Sequence, residues 1–188
     1  MRWCKIIAIM MLLQGAAPAV AQDEPDPVLV ELLRVAASES PSFSDRFDAQ
    51  VWLTDMSARL ARQVGDPQER IEILERVHLE ATRAELPPEL VLAVIDVESN
   101  FDRFAVSVAG ARGLMQIMPF WLDEIGRPDD NLIRIETNLR FGCTILKYYM
   151  NIENGDLQRA LGRYNGSLGS KKYPNKVLDK LRLKWFRA

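Results

Sequence analysis

The sequence predicts an all-α fold with an extra helical segment at its N-terminal side. Three observations carry this expectation. Apolar residues recur at three- and four-residue spacing, helix start and stop signals punctuate the chain, and no run alternates with the two-residue period of a strand. With 188 residues and 48% hydrophobic content, the chain can bury one sizeable core. No internal repeat stands out.

The first residues, MRWCKIIAIMMLLQGAAPAVAQ, have a basic start at Arg2 and Lys5, an apolar stretch from Ile6 to Leu13, and small residues before Gln22. This pattern predicts a signal peptide over 1–21, cleaved after Ala21, and hence an exported, periplasmic protein. The apolar stretch is shorter than the ~20 residues that span a bilayer, so no stable membrane anchor is expected. Residues 22–65 read as a linker and helical extension: QDEPDP is polar and proline-containing, and LVELLRVAAS suits a short helix. In DAQVWLTDMSARLARQV the residues Val51, Trp52, Met56 and Leu60 recur at helical spacing, and Gly65 stops the helix.

Residues 66–188 are expected to form the main domain. Asp66 is a helix cap, Pro67 suits the first helical position, and Glu69 completes a capping pair, starting a helix that runs to about Ala84. LPPEL restarts the chain as a second helix. GLMQIMPFWLDEIG, bounded by glycines, reads as a helix kinked or interrupted at Pro119. IETNLRFGCTILKYYMNIENG predicts a long helix ending at Gly155, followed by DLQRALGRYNG and YPNKVLDKLRLKWFRA.

Glu98, in LVLAVIDVESNF, is out of place by composition. On a helix it shares a face with Ile95, Val94 and Val91, where a core side chain belongs. An unpaired buried carboxylate is costly, so its pKa should rise, a property that suits a general acid. Asp96, two residues earlier, lies roughly 200° round the helix and faces away. Asp102 sits beside Arg103, a natural ion-pair partner. Cys143 is the single cysteine after the signal, so no intramolecular disulfide is expected, and within a helical pattern it reads as a small buried hydrophobe. His78 is the single histidine and reads as structural; without a cysteine cluster it offers no metal site of recognisable spacing, and no cofactor is expected.

Glu98-Ser99 at the end of an apolar helix, Ser107 with GARGLMQIMP, Asn138 with Gly142, and Tyr164-Asn165 occur in this order. Together they resemble the lytic transglycosylase (SLT) domain of the lysozyme-like superfamily, over about residues 80 to 180. The resemblance implies a lysozyme-like, goose-type helical domain that cleaves the β-1,4 bond between N-acetylmuramic acid and N-acetylglucosamine in peptidoglycan. It makes Glu98 the catalytic carboxyl group, acting as acid and then base, with Ser107 a hydroxyl near the bond. Gln116 and Met118 would line the sugar groove, Gly110 and Gly113 would allow close approach to it, and Tyr164 and Asn165 would face the glutamate. Tyr173, with Val177, falls near a later motif and is a further groove residue. The family's usual Ala-Tyr-Asn-Ala-Gly is here Arg163-Tyr164-Asn165-Gly166-Ser167, so Arg163 would narrow one wall or extend a cation toward acidic peptide stems.

The chemistry of these side chains fits that role. A neutral carboxyl group can protonate a departing sugar oxygen. Gln116, Asn165 and Ser107 can bond acetamido and hydroxyl groups, while Met115, Met118, Phe101 and Tyr164 offer surfaces to the sugar's apolar face. Two other readings stand beside the transglycosylase: a hydrolase of lysozyme type, and an inactive wall-binding module. Peptidoglycan glycan strands are the expected partner.

Charge excludes one class and suggests another contact. The formal charge of −2 becomes −4 once Arg2 and Lys5 leave with the signal, which gives no reason to expect nucleic acid. From Leu157 onward nine Lys or Arg face the single acid Asp179, a basic end that would meet an anionic polymer or simply form a solvated face.

Overall fold

The computed structural model describes residues 27–39 and 42–185. The predicted signal segment, its expected cleavage point at Ala21 and the beginning of the expected linker lie outside the described residues. Among the described residues the secondary structure is helical: α1 (Pro27–Glu39), α2 (Arg46–Leu60), α3 (Pro67–Arg83), α4 (Pro88–Glu98), α5 (Trp121–Ile125), α6 (Ile135–Ile152), α7 (Leu157–Tyr164) and α8 (Lys172–Lys180), with a π-helical turn at Leu181–Trp185. None of these helices is long and apolar enough to cross a membrane.

Local chemistry sets the boundaries. The Asp45 carboxylate accepts from the Phe47 and Asp48 amides at 2.7 and 2.9 Å and so starts α2. Asp66 accepts from Gln68 N at 3.0 Å with Pro67 in the first turn, as the sequence predicts for α3. Glu69 makes no reciprocal cap and instead approaches Arg103 at 4.0 Å. Asp156 caps α7 through Arg159 N at 3.0 Å. On α2 the inward stripe is Ala49, Leu53, Met56 and Leu60, whereas Val51, expected inside, is exposed.

The fold is organised round α4. Leu90 to Ile95 are all buried, so this helix is apolar on every side and forms the middle of the core. α3, α8 and the π-helical turn pack on α4, while α6 packs on α3 and α7, and α7 reaches α8. α1 and α2 pack on each other and on α3, and their Leu33, Ala36, Leu53 and Leu60 belong to the same apolar core as α4. His78 on α3 stacks on Phe43 with ring centroids 3.5 Å apart, and its Nδ1 is 2.8 Å from Ser42 Oγ. Cys143 is buried in α6.

Residues 113–119 do not form the expected helix. The chain from Val106 to Ile117 folds into a ribbon with two isolated β-bridges, Val106 to Arg112 and Arg112 to Ile117. The cause lies on α6. Asn138 Oδ1 accepts from Met115 N at 2.7 Å, and its amide nitrogen donates to Arg112 O and Leu132 O at 2.8 Å each. Three backbone groups satisfied by one side chain outweigh the helical propensity of GLMQIM. Gly113 is required here: at φ +75° its missing Cβ would sit 2.4 Å from Asn138 Nδ2 and 2.6 Å from Leu132 O. Gly142 leaves space for the buried Met115 sulfur, which an added Cβ would meet at 2.1 Å.

Candidate active site

Glu98 is the last residue of α4, delivered by a buried helix to the floor of a cleft. The helix ends sharply. Ser99 Oγ donates to Leu114 O at 2.8 Å, fastening the ribbon to it, and Asn100 and Phe101 follow at φ 51° and 68°. Two consecutive left-handed residues without glycine cost on the order of 1–3 kcal/mol each, and local contacts hold them. Phe101 packs on Trp185 with centroids 5.4 Å apart, and Asn100 Oδ1 accepts from Gln63 Nε2 at 2.7 Å.

Among the described residues the Glu98 carboxyl group has one side-chain partner, Tyr173 on α8, whose phenol donates to Oε1 at 2.6 Å. Burial raises the Glu98 pKa above the ordinary glutamate value, and the tyrosine hydrogen bond pulls against this without reversing it. Oε1 is thus engaged as an acceptor, and Oε2 has no side-chain partner among the described residues. Burial and the nearby glutamate push the Tyr173 phenol well above its ordinary pKa, so it stays a donor.

The cleft has two lobes that meet at Glu98 and Asn165. The first, about 290 Å³, is walled by the ribbon through Ser107, Gln116 and Met118, and by Trp121, Ile145 and Tyr164. The second, about 350 Å³, lies against α8 and is walled by Val97, Ser167, Ser170, Lys172, Tyr173 and Lys176. Glu98 is the only carboxyl group lining either lobe among the described residues. Asp102, the nearest acid after it in sequence, accepts from Phe104 N at 2.9 Å in an exposed turn, and Arg103 turns to Glu69 and Glu72 rather than to Asp102.

Several expected groove residues are placed differently. Met115 and Phe101 line neither lobe: both are buried, Met115 in the space left by Gly142 and Phe101 against Trp185. Tyr164 lines the first lobe, but its hydroxyl donates to Met115 O at 2.8 Å, tying α7 to the ribbon. Tyr173, not Tyr164, is the hydrogen-bond partner of Glu98. Gly113 approaches Asn138 rather than the groove, and Gly110 at φ +87° makes the turn between Ser107 and Ala111. Ser107 Oγ accepts from Ala111 N at 3.0 Å, stabilising that turn at the cleft edge. Gln116, at φ 51°, spends its amide nitrogen on Ala105 O and Gly113 O, so its carbonyl oxygen is the part left for a ligand. Arg163 is drawn away from the groove by Glu153, which also holds Arg159.

Residues 77–182 match the family described as Transglycosylase SLT domain. The chain belongs to this family. The matched SLT region begins within α3 and includes both lobes of the cleft. A transglycosylase of Enterobacteria phage PRD1 is 29% identical over 116 residues, 58% of this chain and 43% of that protein. The membrane-bound lytic murein transglycosylase C of Yersinia pestis is 31% identical over 113 residues, 52% of this chain and 32% of its own length. The chain thus matches less than half the length of these relatives. A structure of an inactive variant of the lytic transglycosylase Slt from Pseudomonas aeruginosa overlaps 86% of this chain and 32% of its own at 23% identity and a TM-score of 0.46.

Elsewhere in the SLT region, the sequence pattern gives no site role to Asn138 beyond its place in the motif, and none to Trp121, Ile145 or the second-lobe residues Val97, Ser167, Ser170, Lys172 and Lys176. The signal for Asn138 was present: a polar side chain on the apolar face of a long helix, one helical turn before Gly142. The lobe walls depend on how α8 meets α4 and α7, which no local pattern encodes.

Proposed function

We propose that the protein is an exported, periplasmic peptidoglycan lytic transglycosylase that cleaves the bond between N-acetylmuramic acid and N-acetylglucosamine without water. The observation that carries this reading is a single partly buried carboxyl group, its pKa raised by burial, at the junction of two cleft lobes. Residues 66–188 form the catalytic domain in this reading, with 22–65 an extension.

A glycan strand lies through both lobes with the scissile bond at Glu98. The proton on Oε2 passes to the leaving glycosidic oxygen as the bond to the anomeric carbon breaks. Hydrolysis, retaining or inverting, ordinarily uses a second carboxylate as nucleophile or as base for water. Since Glu98 is the only carboxyl group lining the described cleft, the acetamido oxygen of the muramic sugar takes over stabilisation of the developing cation. Glu98, now ionised, removes the proton from the same sugar's 6-hydroxyl, and that oxygen closes on the anomeric carbon. The attack is intramolecular and is favoured over water by position. Glu98 ends protonated, ready for the next turnover. Tyr173 steadies Oε1 throughout, and Ser107, Asn165 and the Gln116 carbonyl bond the acetamido and hydroxyl groups.

Mass spectrometry of products from purified sacculi tests the reaction. The expected ends are 1,6-anhydromuramic, lighter by one water than their hydrolytic counterparts. Reducing muramic ends alone would replace this reading with the lysozyme-type hydrolase, and no cleavage at all would replace it with the wall-binding module.

A further inference from the structure

The N-terminal extension builds a concavity of its own, about 560 Å³ in volume, and no residue of its wall lines either lobe of the cleft. Most of that wall comes from residues 42–59, ahead of the matched SLT region, which contributes His78 and Glu89. Glu89 lies in the first turn of α4 and Glu98 ends the same helix, so the two acids stand about 14 Å apart along its axis. Phe43, Trp52 and His78 pack as a group: Phe43 stacks on His78 at 3.5 Å between ring centroids, and Trp52 stands edge-on to it at 5.1 Å. Phe47 and Val51, one turn apart on α2, line the concavity while 74% and 54% exposed. Apolar side chains this open, on one face and beside a cavity, mark a surface that another molecule covers.

The charge of the wall is one-sided. Asp48, Asp55 and Glu89 line the concavity against one cation, Arg59, which is already spent on Asp55 at 2.9 Å through Nε and on the Lys184 and Trp185 carbonyls. Glu89 Oε1 accepts from the Trp52 indole at 2.8 Å and Asp48 Oδ2 from Ser44 Oγ at 2.6 Å, while neither carboxylate meets a cation among the described residues. Burial lowers the His78 pKa, so the ring stays neutral and leaves these acids uncompensated. Aromatic faces beside unpaired carboxylates suit a guanidinium, whose plane stacks on a ring while its N–H groups reach an acid.

We infer that this concavity docks a partner protein through a segment that presents an arginine beside a large apolar residue. The guanidinium goes to Glu89 and Asp48 among the aromatic side chains, and its apolar neighbour covers Phe47 and Val51. The extension then has the task of holding the SLT region against another protein. This docking is independent of the reaction at Glu98, and its test reads binding rather than cleavage.

The experiment titrates the whole chain, labelled with nitrogen-15, with acetyl-Phe-Arg-amide and with acetyl-Phe-citrulline-amide, following the Trp52 indole signal by NMR. Neither peptide carries a terminal charge, so the two differ in the guanidinium alone. The arginine peptide should move the signal and bind about three- to tenfold more tightly than its neutral counterpart, a modest factor because the contacts are partly solvated. Asp48→Asn/Glu89→Gln keeps an acceptor for Ser44 and for Trp52 and should bring that ratio toward one. Glu124→Gln/Glu136→Gln, an equal charge change outside the concavity, should leave the ratio as it was. An unmoved Trp52 signal, equal affinities for the two peptides, or a ratio that survives the Asp48 and Glu89 changes overturns the inference. Binding that appears only once residues 186–188 are removed also overturns it, by making the chain's own end the occupant. A dimer that the arginine peptide dissociates overturns it in favour of a second copy.

Discussion

Two carboxyl groups stand two residues apart on α4 and are treated in opposite ways. Asp96 has no exposed side-chain surface and meets Lys180, Lys184 and the Trp185 indole, which donates to Oδ2 at 3.1 Å. Glu98 looks into the cleft and, among the described residues, meets a single phenol. Burial pushes both pKa values upward. At Asp96 the hydrogen bonds and charges of two lysines outweigh it and hold the acid below its ordinary value; at Glu98 the tyrosine does not, and the value stays raised. Withdrawal from water therefore does not by itself make a proton donor. The partners decide, and the helix sets which partners each acid can reach.

The largest way to break the comparison is Glu98→Gln. The variant retains size but has no proton to give, so turnover on sacculi should fall about a hundred- to ten-thousand-fold. It should also lose nothing in stability. A carboxyl group with a raised folded pKa binds its proton more tightly in the folded state, so stability declines as pH rises from the unfolded pKa through the folded one. Glutamine removes that decline, and thermal melting at neutral pH should show an equal or higher Tm. Near-normal turnover in a folded variant would remove Glu98 from the reaction.

Asp96→Asn should act on the other side of the comparison, on stability rather than chemistry. Breaking a buried ion pair costs ~3–5 kcal/mol, and about 2–3 kcal/mol is expected here because both lysines keep some contact with water. A depressed pKa contributes stability above the unfolded value and loses it as pH falls through the folded one. The gap between the two proteins in denaturant melts should therefore close in acid. A constant gap across pH would assign the loss to packing instead.

Tyr173→Phe sharpens the comparison with the smallest change. It removes the one hydrogen bond that lowers the Glu98 pKa, so the alkaline limb of the kcat/KM profile, where the acid loses its proton, should move to higher pH. Turnover should drop about tenfold, in line with the loss of one hydrogen bond. Tyr164→Phe, which cuts a tie to the ribbon instead, should leave that limb in place.

The half of this arrangement that depends on near neighbours was legible in the sequence. Glu98 betrayed itself by sharing a face with Val91, Val94 and Ile95, and Asp66 with Pro67 marked the start of α3, because both patterns are complete within one or two helical turns. Asp96 was rightly turned away from Glu98 by geometry alone, though its two lysines were read as part of a solvated or wall-facing end. What failed was decided at long range. Asn138 converts GLMQIMP from a helix into a ribbon from 23 residues away in sequence, and the choice of Tyr173 over Tyr164 depends on where α8 meets α4. Arg163 looked like a groove residue until Glu153 claimed it. Met115 and Phe101 show the same limit: their type fits a sugar-facing surface and a core equally well, and Gly142 and Trp185 settle it.

One helix raises the pKa of one acid and lowers that of the other, and site-resolved carbon NMR of the two side-chain carboxyl groups during a pH titration tests this most directly. The account predicts that Glu98 titrates above the ordinary glutamate range and Asp96 below the ordinary aspartate range, with the Glu98 transition moving further up in Tyr173→Phe. A Glu98 carbon that titrates at or below its ordinary value would contradict the account, whatever the activity of the variants.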